Sequence, residues 1–344
     1  MARPERRGVT IVDVAARAGV SSMTVSRVIN GRTGVSDETR AMVKEAIKAL
    51  AYIPNVAARS LVTSSELRIG VIYSNARAAF MSDFLTGVFE EASARGARLI
   101  LLKGEEGRPP PTTALEDLAA SNVSGVLLAP PLGEAPEVLR ILREAGCAMA
   151  AVGAYPSPEK ICVRIDDRAA SYQMTRLLLD QGHRRLGFIL GNPDQAASAE
   201  RMAGFHAAVR ETGGVDIQVV QGDFTYASGL VAAEQLLSSS QPPTAIFASN
   251  DDMAAAVVSV AHRRHLDVPG ELTVAGFDDT TAAVTLWPPL TTVRQPVREL
   301  AAEALSLLIA EIGAGGGKAD VPRERILSHE IVERESTSVR AKAD

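Results

Sequence analysis

Residues 10–30 read Thr10-Ile11-Val12-Asp13-Val14-Ala15-Ala16-Arg17-Ala18-Gly19-Val20-Ser21-Ser22-Met23-Thr24-Val25-Ser26-Arg27-Val28-Ile29-Asn30. Thr10 offers an N-cap with Asp13 three residues on, and apolar side chains recur at Ile11, Val14, Ala15 and Ala18, the spacing of a short amphipathic helix. Gly19-Val20-Ser21 then supplies a tight turn. Gly19 tolerates a positive φ, and Ser21 is placed to cap a second helix over 22–29 with Val25, Val28 and Ile29 facing inward. Asn30-Gly31 stops it. Ser36 caps a third helix striped by Val43, Ala46, Ile47 and Leu50, until Ile53-Pro54 breaks it. Two short helices across such a turn make a helix-turn-helix unit.

If the second helix enters a major groove, its exposed N-terminal positions Ser22 and Met23, and Ser26 and Arg27 one turn on, face base edges. Arg27 is the candidate for bidentate reading of a guanine, while Met23 offers only apolar contact, for instance to a thymine methyl. Thr10, Ser21, Thr24, Ser26 and Asn30 carry short polar groups suited to phosphate oxygens, which set register and not sequence.

Charge supports a polyanion reader at this end. Residues 1–60 hold ten Lys/Arg against five Asp/Glu, a net of +5, leaving 26 against 36, a net of −10, for the remainder of the 344-residue chain. A small basic head on an acidic body fits a nucleic-acid reader joined to a domain with another task. With 46% hydrophobic residues the chain is long enough for more than one core. The two cysteines, Cys147 and Cys162, sit beside apolar runs and read as reduced, buried thiols. The basic N-terminus lacks an apolar signal core, and no run reaches membrane-spanning length, so a cytoplasmic protein without membrane contact is expected.

The segment Asn55-Val56-Ala57-Ala58-Arg59-Ser60-Leu61 is too short to be helical alone. On composition it is either a linker or a helix ordered in a minor groove, with Ala58 permitting close approach and Leu61 as a wedge between base steps.

From Leu67 apolar runs alternate with helical stretches. Strands are expected at 68–74, 98–102, 124–129, 148–152, 161–165, 185–190, 215–220, 245–248 and 273–275, with helices between them, the pattern of βαβ units and parallel sheets. Ligands of open α/β lobes lie beyond the carboxyl ends of the strands. Polar residues at those ends are Asn75, Asp166, Asn250 and Asp278, and Arg201 lies early in the helix after Asn192-Pro193. Such groups bind vicinal hydroxyls by charge-assisted bonds, and Phe80, Phe224 and Trp287 are candidates to cover a sugar ring. For a lone strand-end Asp, a helix N-cap is the competing reading. Phe205, Phe277 and much of Phe247 read as core.

Taken together, Val9–Ala15, Gly19–Asn30, Val35-Ser36, Tyr52–Asn55, Gly182-His183-Arg184-Arg185, Arg201–Phe205, Ser249–Ala254, Gly276–Asp279 and Pro289–Gln295 resemble the LacI/GalR family of bacterial regulators, in the family's order and along the whole chain. The resemblance implies a helix-turn-helix DNA-binding head over 1–53, a hinge helix and linker over 54–66 with Leu61 at the wedge, and a tail over 336–344. Between them, residues 67–335 would form a two-lobed effector-binding and dimerisation domain of periplasmic-binding-protein type, with crossovers after Pro156 and near 287–295. It gives most weight to Arg201, Asn250 and Asp278 as effector ligands. It also implies a homodimer on a pseudo-palindromic double-stranded operator, regulated by a small sugar, with release of DNA the commoner mode. Two departures matter. The groove-facing pair Ser22-Met23 varies among members, so no operator carries over. The tail from Glu330 lacks a leucine heptad, so no tetramer-forming helix is expected.

Other classes fit less well. Gly313-Ala314-Gly315-Gly316-Gly317-Lys318 follows a helix, has Ile312 in place of the first P-loop glycine and Ala319 in place of the magnesium-holding Ser or Thr. The five histidines form no zinc motif, and no nucleophile, base and orienter set emerges, so neither an enzyme, a metal site nor a cofactor is expected. A purine-type corepressor-dependent regulator is the alternative within the DNA-binding class. A solute-binding protein shares the two lobes but not the basic head.

Overall fold

The computed structural model describes residues 11–29, 36–50, 67–74, 79–105, 107–314 and 321–339. It divides into a unit ending at Glu66 and a larger one beginning at Leu67.

The smaller unit holds α1 (Ile11–Ala18), α2 (Ser22–Ile29) and α3 (Asp37–Ala49). Val14, Ala15, Val25, Val28, Val43 and Ala46 form its core. Gly19 takes φ +65°, which turns the chain between the first two helices without a Cβ penalty. Ser21 Oγ accepts the Thr24 amide at 3.1 Å, and Ser36 Oγ accepts the Thr39 amide at 3.3 Å, so the caps expected at Ser21 and Ser36 form.

The larger unit is two lobes. The first sheet runs β11-β5-β4-β3-β1-β2, all parallel, from β1 (Arg68–Tyr73), β2 (Arg98–Lys103), β3 (Gly125–Leu128), β4 (Ala148–Val152), β5 (Ile161–Ile165) and β11 (Glu324–Leu327). Its faces alternate as the pleat demands. Ile69, Val71, Leu127 and Ala150 pack against α4 (Ala79–Arg95) and α12 (Val297–Gly313) through Phe84, Val88, Leu300 and Leu308. Ile72, Val126, Leu128 and Met149 pack against α5 (Thr112–Ala120) and α6 (Pro136–Glu144) through Leu115, Leu118, Val138 and Leu142. Burial on both faces explains why β1, β3 and β4 read as apolar runs.

The second sheet, β7-β6-β8-β9, is likewise parallel, from β6 (Arg185–Leu190), β7 (Asp216–Gln221), β8 (Ala245–Ala248) and β9 (Thr273–Ala275). Phe188 and Phe247 face α7 (Asp167–Asp180) and α8 (Ala196–Thr212), whereas Ile189, Ile246 and Val274 face α9 (Tyr226–Leu237) and α10 (Asp251–Arg263). The short α11 (Thr281–Thr285) follows, and β10 (Thr292–Arg294) pairs antiparallel with β12 (Glu330–Val332).

Two expectations need correcting. The chain leaves the first lobe after Ile165, not after Pro156, because β5 still pairs with β4. It crosses twice more, between β10 and α12 and between β11 and β12, so three strands of chain join the lobes. Nor does the body end at 335: Ser336 is fully buried, donating to the Val274 carbonyl at 2.6 Å and accepting the Thr291 amide at 2.8 Å. Among the described residues no helix is long and apolar enough to cross a membrane.

Candidate functional site

A cavity of about 650 Å³ opens between the two lobes at the carboxyl ends of their strands. That is where parallel sheets leave unpaired backbone and helix N-termini for a ligand. The first lobe contributes Phe80, Pro131, Val152 and Arg164; the second contributes Asn192, Arg201, Phe224, Asn250 and Asp278.

Arg201 is the centre of the second-lobe wall. It is buried, with its Nε donating to Asp167 Oδ1 at 2.8 Å, one terminal nitrogen donating to the Ser249 carbonyl, and that nitrogen 4.0 Å from Asp278 Oδ1. Its guanidinium carbon lies 3.5 Å from the Phe277 ring centroid and 5.6 Å from that of Phe224. Phe277 is fully buried, as read from the sequence, but it also serves as the platform for this cation. Burial raises the Asp167 carboxyl above its ordinary range despite the pull of Arg201.

Asp278 sits at φ +110° and accepts from Gln295 Nε2 at 2.6 Å. Burial pushes its carboxyl up to about 8, against the lowering effect of Arg201. Asp251, the first residue of α10, is pushed up to about 7 by burial, against hydrogen bonds from Thr292 and Thr280. It therefore ties α10 to β10 and to the turn after Asp278. At the rim, burial works to raise Asp223, but hydrogen bonds from Ser228 and Thr225 outweigh it and leave the carboxyl below its ordinary range.

The sequence candidates divide. Phe80, Arg201, Phe224, Asn250 and Asp278 all line the cavity. Asn250 has a structural task as well: its Oδ1 caps α10 by accepting the Met253 amide at 3.0 Å, and its Nδ2 donates to the Phe224 carbonyl at 2.9 Å, fixing the aromatic wall. Asp166 does not line the cavity. It is the N-cap of α7, accepting the Ala169 amide at 2.9 Å, and the neighbouring Asp167 turns inward instead. Trp287 is also misplaced: its side chain is 73% exposed and lies off the cavity wall. Arg164, Asp167 and Asp223 were not anticipated. Arg164 arises from β5 and is held by Glu324 of β11 at 2.6 Å, a strand the sequence pattern did not reveal.

In the smaller unit Ser21, Ser22, Met23 and Arg27 are exposed along the start and outer face of α2, with Met23 67% accessible. Thr24 is half-buried, and its hydroxyl lies 2.9 Å from that of Ser21, the residue that caps the helix. Thr10, Asn30, Asn55, Ala58, Leu61 and Asn75, and the side chain of Ser26, lie outside the described residues.

The comparisons bear on both units. Residues 10–55 match the model of bacterial regulatory proteins of the lacI family, and residues 175–337 match a periplasmic binding protein-like domain. The HTH-type transcriptional regulator CelR of Thermobifida fusca is 36% identical over 96% of this chain and 99% of its own length. Among solved structures, a complex of the transcriptional regulator CelR with cellobiose superposes with a TM-score of 0.72 at 34% identity, covering 95% of this chain and 99% of that one. A lac repressor dimer bound to operator and the anti-inducer ONPF gives 0.82 at 27% identity over 96% of this chain and all of that one. The exposed outer face of α2, the two parallel-sheet lobes around a cleft and these full-length similarities agree: this chain belongs to the lacI family of bacterial regulatory proteins and is a DNA-binding transcriptional regulator.

Proposed function

We propose that the chain is a dimeric repressor whose affinity for a pseudo-palindromic operator falls when an uncharged sugar of more than one ring binds between the lobes. The observation that carries this reading is the second-lobe wall. A guanidinium is pinned on Phe277 by Asp167, beside the Asp278 carboxyl, with the Phe224 ring alongside. Carboxyl and guanidinium groups held at fixed spacing suit vicinal hydroxyls, and Phe224 and, from the opposite lobe, Phe80 suit the apolar faces of sugar rings. The volume lies within the ~300–1,000 Å³ range of small-molecule sites, and the similarity to a cellobiose-binding regulator points the same way.

Closure on a ligand acts by differential affinity: the sugar shifts the population toward whichever lobe arrangement it binds better, and the DNA-competent dimer is the other. Among the described residues that line the cleft, none form a nucleophile and base pair, and the chain is read as a sensor.

The test is calorimetric titration of the full-length protein with cellobiose, other mono- and disaccharides, their phosphates and purines, each hit then added to the operator complex. A disaccharide that binds and releases DNA is the expected result. A purine that binds and tightens the complex would replace this reading with corepression. Exposed Trp287 makes intrinsic fluorescence a poor reporter of the cleft, which favours calorimetry.

A further inference from the structure

Helix α8 carries Arg201, yet among the described residues no side chain of its own lobe caps it. The N-cap residue, Gln195, makes no side-chain capping bond. The amide of Ala196, the first helical residue, donates instead to Glu134 Oε2 at 2.9 Å, and Glu134 belongs to the opposite lobe, in the 3₁₀ turn Leu132–Glu134 after β3. The other oxygen of the same carboxylate accepts the Tyr155 amide of the first lobe at 3.1 Å. One carboxylate thus stitches a backbone amide from each lobe. A second bridge lies beside it: the Tyr155 hydroxyl donates to Glu200 of α8, which Arg168 holds at 2.9 Å. Gln195 and Ala197 on one side, and Pro131 and Gly153 on the other, line the cleft, so this seam runs along its edge.

A carboxylate at a helix N-terminus satisfies an orphan amide and meets the positive end of the helix dipole. Here that stabilisation exists only while the lobes are together. We propose that Glu134 is a positioning residue for the cleft: it caps in trans the helix that presents Arg201, so closure of the lobes and ordering of the second-lobe wall are one event. The role concerns the helix and holds whichever ligand fills the cleft.

Hydrogen–deuterium exchange on the full-length chain, without added effector, tests this directly. In Glu134→Ala, peptides covering the first turn of α8 (196–199) exchange about tenfold faster, in step with the loss of a helix cap. Tyr155 follows, while α9 of the same lobe (226–237) is unchanged. Glu134→Gln, which keeps one acceptor oxygen, falls between the two. If Tyr155 accelerates and 196–199 does not, Glu134 serves its own lobe alone and the proposal is overturned. Acceleration of α9 to the same degree also overturns it, since Glu134 would then be a general fold residue.

Discussion

The Arg201 guanidinium lies over the Phe277 ring, 3.5 Å from its centroid, with Asp167 closing its edge at 2.8 Å. The three residues come from α8, from the loop after β9 and from the start of α7, so the arrangement is the point at which three second-lobe elements lock together. The ring face attracts the cation, and the carboxylate fixes its orientation.

Arg201→Ala leaves the buried Asp167 carboxylate without its cation. Removing one partner of a buried pair costs about 3–5 kcal/mol, and a urea unfolding titration at pH 7 should show a loss of that order. A loss under about 1 kcal/mol, the value of an exposed pair, would mean that water reaches Asp167 freely.

Asp278 makes stability depend on pH with a definite sign. A carboxyl raised to about 8 in the native state binds a proton that the unfolded chain has already released above about 4. Stability contributed at this site therefore falls as pH climbs between those values and levels off above about 8. Asp278→Asn removes that fall, so the variant's advantage over wild type grows from pH 5 to pH 8. Asp251, raised to about 7, acts in the same direction and leaves a residual slope in the variant. Parallel wild-type and variant curves across this range would contradict the assignment.

Gly191→Ala probes the aromatic wall from behind. A Cβ at this position falls within the Phe224 ring, which must swing away. Phe224 is only partly buried and can move, so the fold should tolerate the change. Effector affinity measured by calorimetry should drop tenfold or more, equivalent to about 1.4 kcal/mol. Unchanged affinity would remove the Phe224 ring from the ligand's surroundings.

Arg27→Ala addresses the head. Loss of a bidentate base contact costs about 1–3 kcal/mol on the specific operator, seen by fluorescence anisotropy, with little change on nonspecific DNA. An equal loss on both sequences would reassign Arg27 to the phosphates.

Much of this architecture was legible because burial writes itself into sequence. The helix-turn-helix showed through its 3.6-residue stripe and its Ser caps, and the central strands through runs such as Ile246-Phe247 that are apolar on both faces. What escaped was short and half-exposed. β11, Glu324-Arg325-Ile326-Leu327, lies at a sheet edge with two of its four residues exposed, and β10 and β12 span three residues each, too few for a period to show. The site errors have the same origin. Asp166 and Asp167 are adjacent acids at a strand end, and only packing decides that the first caps the helix while the second meets Arg201. Trp287 stood near a crossover segment, but it follows a five-residue helix that sequence spacing did not reveal, and it is exposed.

The three passages between lobes have a consequence for how the protein is made. The first lobe's α12 and β11 come from residues 297–327, after the whole second sheet in chain order, and the second lobe still waits for β12 and Ser336. Neither lobe can complete itself on the ribosome while the other is unfinished, as consecutive domains do. Both close their cores only as residues 297–336 are synthesised, at about 5–20 residues per second. A stalled or truncated chain therefore exposes two incomplete sheets at once, and a chimera exchanging one lobe between relatives needs three splice points where a linear domain needs one.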